Sequence, residues 1–311
     1  MNRDFCEQGE KYRVLSNETK KSRYGVTYLK LQLGNSDRTI TAYAWETSYN
    51  GPWSFECLQT ISMFGRYRTL SGNTVADLAC VSPYLPRAEE ALHLIPSIMT
   101  ESPKQIEQLN MIIDSIEHPE LQEFVQRTFL DIGFTKAFIQ APASLNYHHA
   151  YSGGLLDHSI ECVQIVQAVP GLSAEQRDIA TCAALFHDAA KAITMTADMN
   201  RTRLGQLVDH DALMLEVMYH PLHWLDATWP SAGMALRHIW TCKNSRQWGY
   251  SARMAVAHLV QLADRTSAEL CKERASFNGV ESWRYLGNAV GKERYIRLLH
   301  DSGRSRSANH G

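Results

Sequence analysis

The chain has 311 residues, 44% of them hydrophobic and 21% charged, with a formal net charge of −2. That length and balance fit a globular protein large enough for two domains, without an apolar run of membrane-spanning length; "MNRDFCEQGEKYR" lacks a signal-peptide core, so a cytoplasmic protein with no membrane partner is expected. The near-neutral charge excludes a globally basic binder of nucleic acid or anionic membrane, and any phosphate-binding surface has to be local.

Such a locality comes first in the chain. Residues 11–30 carry Lys11, Arg13, Lys20, Lys21, Arg23 and Lys30 against the single acid Glu18; a solvated face and a phosphate-binding patch fit equally well. The same region is β-rich. "VTYLKLQLGN" and "RTITAYAWE" alternate, a turn falls at Gly34-Asn35, and another across Ser71-Gly72-Asn73 splits "TISMFGRYRTLSGNTVADLACVSPY" into two strands. About five short strands in residues 12–82 suggest a small closed barrel, for which an OB-fold is a common solution. These strands are expected to carry Tyr28, Tyr43, Trp45 and Trp53. They suit a base-stacking surface, although a strand aromatic is more often core.

After Pro86 the period changes. "RAEEALHLIPSIMT", "SPKQIEQLNMIIDSIE" and "HPELQEFVQRTFLDIGFTKAFIQ" have helical spacing, with Pro103 and Pro119 opening helices, and helices alone are expected to about residue 300. Seven cysteines without a CxxC pair read as reduced core thiols. The tail "DSGRSRSANHG" reads as disordered.

Within the helical part, "YHHAYSGGLLDHS" (147–159) concentrates histidines around a Gly-Gly turn, and His158 falls one turn into the following helix. "IATCAALFHDAAKAI" (179–193) is an apolar helix with His187, Asp188 and Lys191 in its body. A buried His-Asp pair is costly unless paired or bound to a cation. "VAHLVQLADRTSAEL" adds Asp264, a lone carboxylate in another apolar helix. His158, His187, Asp188 and Asp264 would form a mixed imidazole and carboxylate site suited to Mn²⁺, Mg²⁺, Fe²⁺ or Zn²⁺.

This ordered set resembles the HD superfamily of metal-dependent phosphohydrolases. With "FTKAFIQAPASLNYHHAYSGGLLDHS", "AALFHDAAK" and the preceding β-rich segment, it resembles the YhaM-type 3′-5′ exoribonucleases, from about residue 12 to residue 270. The resemblance implies an α+β multidomain fold: an N-terminal five-stranded OB-like β-barrel (1–84), a helical linker packing on the next domain (85–140), an all-α HD domain (141–300) and the tail (301–311). It also implies that His158, His187, Asp188 and Asp264 hold a divalent metal, with Mn²⁺ the expected ion. Asp188, Lys191 and His210 then belong to the catalytic set, Lys191 meeting substrate phosphate and His210 a second ion or a phosphate. His148 and His149 line the cleft, while Lys20, Lys21, Arg23, Tyr28 and Trp45 hold the strand.

One departure stands out. Many HD phosphodiesterases complete a second metal site with a His-His pair after the position of His238, where this chain has Lys243 and Asn244. A single-metal enzyme is therefore favoured unless His238 substitutes; His238, His220, His223 and His258 otherwise read as ordinary core or surface histidines. The function expected is metal-dependent hydrolysis of single-stranded RNA or DNA, releasing nucleoside monophosphates from a 3′ end. The competing readings are a small-molecule nucleotide phosphohydrolase of the same superfamily, a DNA-processing protein of a mobile element like the MOBH relaxases, and an HD fold with a dead site. Oligomeric state is not legible.

Overall fold

The computed structural model describes residues 9–100, 103–242 and 251–298. Strands β1 (Glu10–Lys21), β2 (Thr27–Gly34), β3 (Thr39–Trp45), β4 (Thr60–Leu70) and β5 (Asn73–Pro83) form a closed barrel in the order β1-β2-β3-β5-β4. β1 also pairs with β4, and β3 with β5 is the parallel pair. The period-two pattern decides what fills the barrel. Leu29, Leu31 and Leu33 of β2 and Ile40, Ala42 and Ala44 of β3 are buried with Tyr12, Val14, Ile61, Met63 and Leu78. The residues between them, Tyr28, Lys30, Gln32, Thr41, Tyr43 and Trp45, remain partly exposed on the outer face.

Both hairpin turns expected from the sequence are present. Asn35 Oδ1 accepts from the backbone N–H groups of Asp37 and Arg38 at 3.1 and 3.0 Å, and Ser71-Gly72, at φ of 49° and 82°, joins β4 to β5.

Past the barrel come α1 (Pro103–Asp114), α2 (Pro119–Thr128), α3 (Ile132–Gln140), α4 (Gly154–Gln167), α5 (Ala174–Phe186) and the short α6 (Lys191–Thr194). α7 (His210–Val217), α8 (Tyr219–Thr228), α9 (Pro230–Thr241) and the long α10 (Ala255–Ser276) follow. Their apolar faces share one core running from Ala91 to Ala263, separate from that of the barrel. The segment between barrel and site helices thus contributes to that core through Leu109, Leu121 and Phe124. Where barrel and helical part meet, Arg13 donates to the carbonyls of Leu94 and Leu58 at 3.3 and 3.0 Å.

The expectation of helices alone needs correcting. Two ribbons interrupt them, β6 (Met195–Thr196) with β7 (Asn200–Arg201), and β8 (Leu286–Val290) with β9 (Glu293–Ile296). The first pair is too short to show a period; the second turns at Gly291, whose φ of 62° marks it in retrospect. The tail and Lys243-Asn244 lie outside the described residues.

Two features fix α5, at whose end the site begins, one at each terminus. Ser173 and Gln176 start the helix with a capping box. Phe186 anchors its last turn against Phe124, Phe129 and Phe138, at centroid distances of 6.1, 5.6 and 5.9 Å.

Asp178, in the same helix, ties down the start of α2. Its Oδ2 accepts from the backbone N–H groups of Glu117 and His118, each at 2.9 Å, and faces His118 Nδ1 at 2.7 Å. The hydrogen bond to Asp178 raises the His118 pKa above its ordinary value. A raised native pKa gives stability that is fully present below the unfolded value of about 6.5 and lost as pH rises through the native one. Thermal melts from pH 6 to pH 9 should therefore show a decline worth about 1 kcal/mol that His118→Gln removes.

Candidate metal centre

The ligand candidates come from three places in the helical core. His158 lies in α4, His187 and Asp188 in the turn that ends α5, and Asp264 in α10. α4 is preceded by Gly153, whose φ of 82° suits glycine. Gly154 follows in close contact with the preceding loop: a Cβ there would lie 2.0 Å from the His149 carbonyl oxygen. Gly154→Ala must therefore push the histidine-bearing loop off α4. We expect a loss of about 3 kcal/mol in urea unfolding, with a weakened metal response.

The side chains converge. His158 Nε2 is 3.1 Å from His187 Nε2, 3.2 Å from Asp264 Oδ1 and 3.7 Å from Asp188 Oδ2. His187 Nε2 is 3.4 Å from Asp188 Oδ2 and 3.7 Å from Asp264 Oδ1, and all four ligand atoms lie within 4.8 Å of one another. Donors ~2.1 Å from one ion and at right angles stand about 3 Å apart, so this spacing fits a single divalent cation.

The outer nitrogens fit as well. His187 Nδ1 donates to the Ala184 carbonyl at 2.8 Å and His158 Nδ1 meets Ser267 Oγ at 2.9 Å, which leaves both Nε2 atoms for the cluster. His158 is fully buried, whereas the Asp264 side chain is 43% exposed and marks the open side.

Charge supports the same fit. Two imidazolium ions cannot sit with Nε2 atoms 3.1 Å apart. Burial holds the His158 pKa down. Burial opposes charge on His187 too, but Asp188 and Asp264 outweigh it and lift its pKa to about 10. Burial would raise the Asp188 pKa, yet Lys191 and His187 hold it well below the carboxylate range. The cluster is therefore a place where carboxylates draw in a positive charge, which a proton or a metal ion can supply.

Lys191 is buried and ion-paired with Asp188 Oδ2. His210, at the start of α7, approaches the other oxygen, with Nε2 3.2 Å from Asp188 Oδ1; it also stands beside Asp209 and Asp211. His148 is partly buried with its ring 5.3 Å from that of His158, and burial followed by the neighbouring positive charge lowers its pKa to about 4.

His149 does not line the cleft as expected. It is 2% exposed and lies behind His158, with Nε2 3.3 Å from both Glu161 Oε2 and Ser267 Oγ. The peptide bends there at a φ of 45°, which turns successive side chains to different sides. His238 accepts from the Arg253 backbone N–H at 3.0 Å and joins none of the ligand groups found among the described residues.

Sequence reading missed Glu161, Ser267 and Arg274. Glu161 lies three residues after His158 and Ser267 three after Asp264, so each shares a helix face with a ligand. That spacing is the signal that could have pointed to Glu161 and Ser267; Arg274 has none.

On the barrel, Tyr28, Tyr43 and Trp45 meet on the outer face, with ring centroids 4.9 to 6.2 Å apart. Trp45 Nε1 donates to Asp77 at 3.0 Å, and Arg68 lies 5.7 Å from the Tyr43 ring centroid. Lys20 stands opposite Tyr28 in register and pairs with Glu18 at 2.6 Å. Lys21 and Arg23 are exposed at the end of β1. Trp53 packs edge-on to Tyr49, outside this cluster.

Comparison with known proteins gives one consistent name. The chain is 22% identical over 255 residues to "3′-5′ exoribonuclease YhaM" of Shouchella clausii, covering 78% of this chain and 77% of that one. It is 21% identical over 217 residues to the Bacillus subtilis protein of that name (67% and 68%), and 22% over 199 residues to that of Listeria welshimeri (62% of each). No protein-family model matches the chain, and no solved structure matches it significantly. Among the described residues no helix is long and apolar enough to cross a membrane.

Proposed function

We propose, taking the chain as a distant YhaM-like protein, that it is a divalent-metal-dependent phosphodiesterase that shortens single-stranded RNA from its 3′ end and releases nucleoside monophosphates. The observation that carries this reading is the convergence of His158 Nε2, His187 Nε2, Asp188 Oδ2 and Asp264 Oδ1 within 4.8 Å of one another, in a chain whose relatives carry the name exoribonuclease. We read the helical part as an HD-type domain and the barrel as OB-like.

His158, His187, Asp188 and Asp264 would hold the ion, with Mn²⁺ the first choice for a mixed nitrogen and oxygen donor set. When bound, a divalent cation makes water a stronger nucleophile and offsets charge on phosphoryl oxygens. The chain's own groups do the rest. Lys191 and His210 hold Asp188 from either side, fixing the cluster before substrate arrives. His210 is 28% exposed, and to donate to a phosphate entering beside Asp188 it would exchange one of its carboxylate partners, Asp188 at Nε2 or Asp209 at Nδ1. His148, kept neutral by burial, borders the same space.

The barrel would hold the strand upstream. Tyr28, Tyr43 and Trp45 offer ring faces, and Lys20, Lys21 and Arg23 supply positive charge, whereas Arg68 is neutralised by Asp77. This surface favours a polymer over a free nucleotide.

The test uses metal-stripped protein with Mn²⁺ or Mg²⁺ restored, on end-labelled single-stranded RNA and DNA of equal sequence. A metal-dependent ladder shortening from the RNA 3′ end is expected. Hydrolysis of nucleotides alone, or specific duplex binding without cleavage, would overturn the reading.

A further inference from the structure

Behind the ligand cluster lies a second set of polar groups that the hydrolytic chemistry does not touch. Ser267 Oγ is 2.9 Å from His158 Nδ1 and 2.9 Å from Glu161 Oε2. Glu161 Oε1 is 2.7 Å from Arg274 Nη2 at the surface. Ser267 is fully buried. The groups are built on the two helices that carry His158 and Asp264, three residues further along each, so the α4–α10 contact joins both pairs.

Proton bookkeeping assigns each role. A carboxylate oxygen only accepts, so the one hydroxyl proton of Ser267 goes to Glu161. Ser267 Oγ can then only accept from His158, whose Nδ1 must carry the imidazole proton. That leaves the Nε2 lone pair facing His187, Asp188 and Asp264. A free imidazole populates both tautomers, and the other one would place a proton where a ligand lone pair is needed.

We propose that Ser267, Glu161 and Arg274 form a relay that fixes the His158 tautomer and thereby sets the affinity of the centre for its metal ion. The inference rests on the metal-centre reading above. The three are positioning residues, acting only through His158. Partners of this kind typically contribute 10- to 100-fold in metal affinity.

The experiment measures Mn²⁺ binding by electron paramagnetic resonance of the free ion, and the His158 tautomer by ¹⁵N NMR of the metal-free protein. The variants are Ser267→Ala, Glu161→Gln and Arg274→Gln, each checked for folding by circular dichroism. The expected result is Nδ1–H in the parent protein, mixed tautomers in Ser267→Ala, and Mn²⁺ binding there roughly 10- to 100-fold weaker. Arg274→Gln, whose side chain is 60% exposed in the parent, tests the far end of the relay if Ser267→Ala does not fold, and a loss of about threefold is expected. Tight binding by the parent with unchanged affinity and tautomer in the folded variants would overturn the relay alone. Absence of Mn²⁺ binding by the parent, with His158→Ala no different, would remove the metal centre and the relay with it.

Discussion

Asp188→Ala is expected to lower metal-dependent RNA hydrolysis roughly 10³-fold or more, while affinity for long single-stranded RNA stays within about twofold because the barrel surface is untouched. The loss has two sources that can be separated. Asp188 supplies one of the four converging ligand atoms, and it is also the partner of the buried Lys191 ammonium. Removing one member of a buried ion pair strands the other at a cost of about 3–5 kcal/mol. Asp264→Ala removes a candidate ligand from the open side of the site; it leaves the Lys191–Asp188 pair intact and takes from His187 one of its two carboxylate partners. It should therefore lose hydrolysis comparably, with a stability loss smaller than that of Asp188→Ala, about 1–3 kcal/mol. Steady-state turnover beside urea unfolding of the two variants checks both statements. Full activity in a folded Asp264→Ala protein would break the ligand assignment.

The second large effect is expected on the barrel. Tyr28→Ala with Trp45→Ala should weaken binding of a long RNA by about 10- to 100-fold, since a stacked base is worth about 1–3 kcal/mol. Turnover of a dinucleotide too short to span barrel and site should fall much less. Neutralising Lys20, Lys21 and Arg23 together should flatten the salt dependence of strand binding by about two in the log–log slope, at about 0.7 per phosphate contact. Fluorescence anisotropy between 50 and 300 mM salt gives both numbers. Equal losses on long and short substrates would mean that the barrel is not the strand-holding surface.

Much of this was legible in the sequence because it depends on local pattern. Alternation marked β2 and β3, and Ser71-Gly72 marked a hairpin; helical spacing found the apolar helix before His187 and Asp188 but ran it through them to Ile193, whereas α5 stops at Phe186 and a turn carries the pair. The convergence of His158 with Asp264 was not local; lone polar residues in apolar helices suggested it, and a resemblance between ordered motifs supported it. Alternation also left open which face of the strands each aromatic would take. Register decides it: Tyr28 lies opposite Trp45, and both alternate with buried residues. His149 illustrates the limit, because the positive φ that turns it away from His148 leaves no mark in composition. Ser267 was hidden for another reason. A serine in an amphipathic helix means little until the neighbouring helix brings Glu161 to it.

The separation of the two cores bears on how the chain is made. The last barrel strand ends at Pro83, whereas the fourth candidate ligand, Asp264, waits for α10. Domains generally fold as units in the order in which they leave the ribosome. A nascent chain therefore completes its barrel while most of the helical core is still unsynthesised, and a chain cut short between Pro83 and α10 has the barrel but an incomplete set of candidate ligands. Under the reading proposed above, premature termination would yield a protein that holds RNA without cutting it, a competitor of the full-length enzyme.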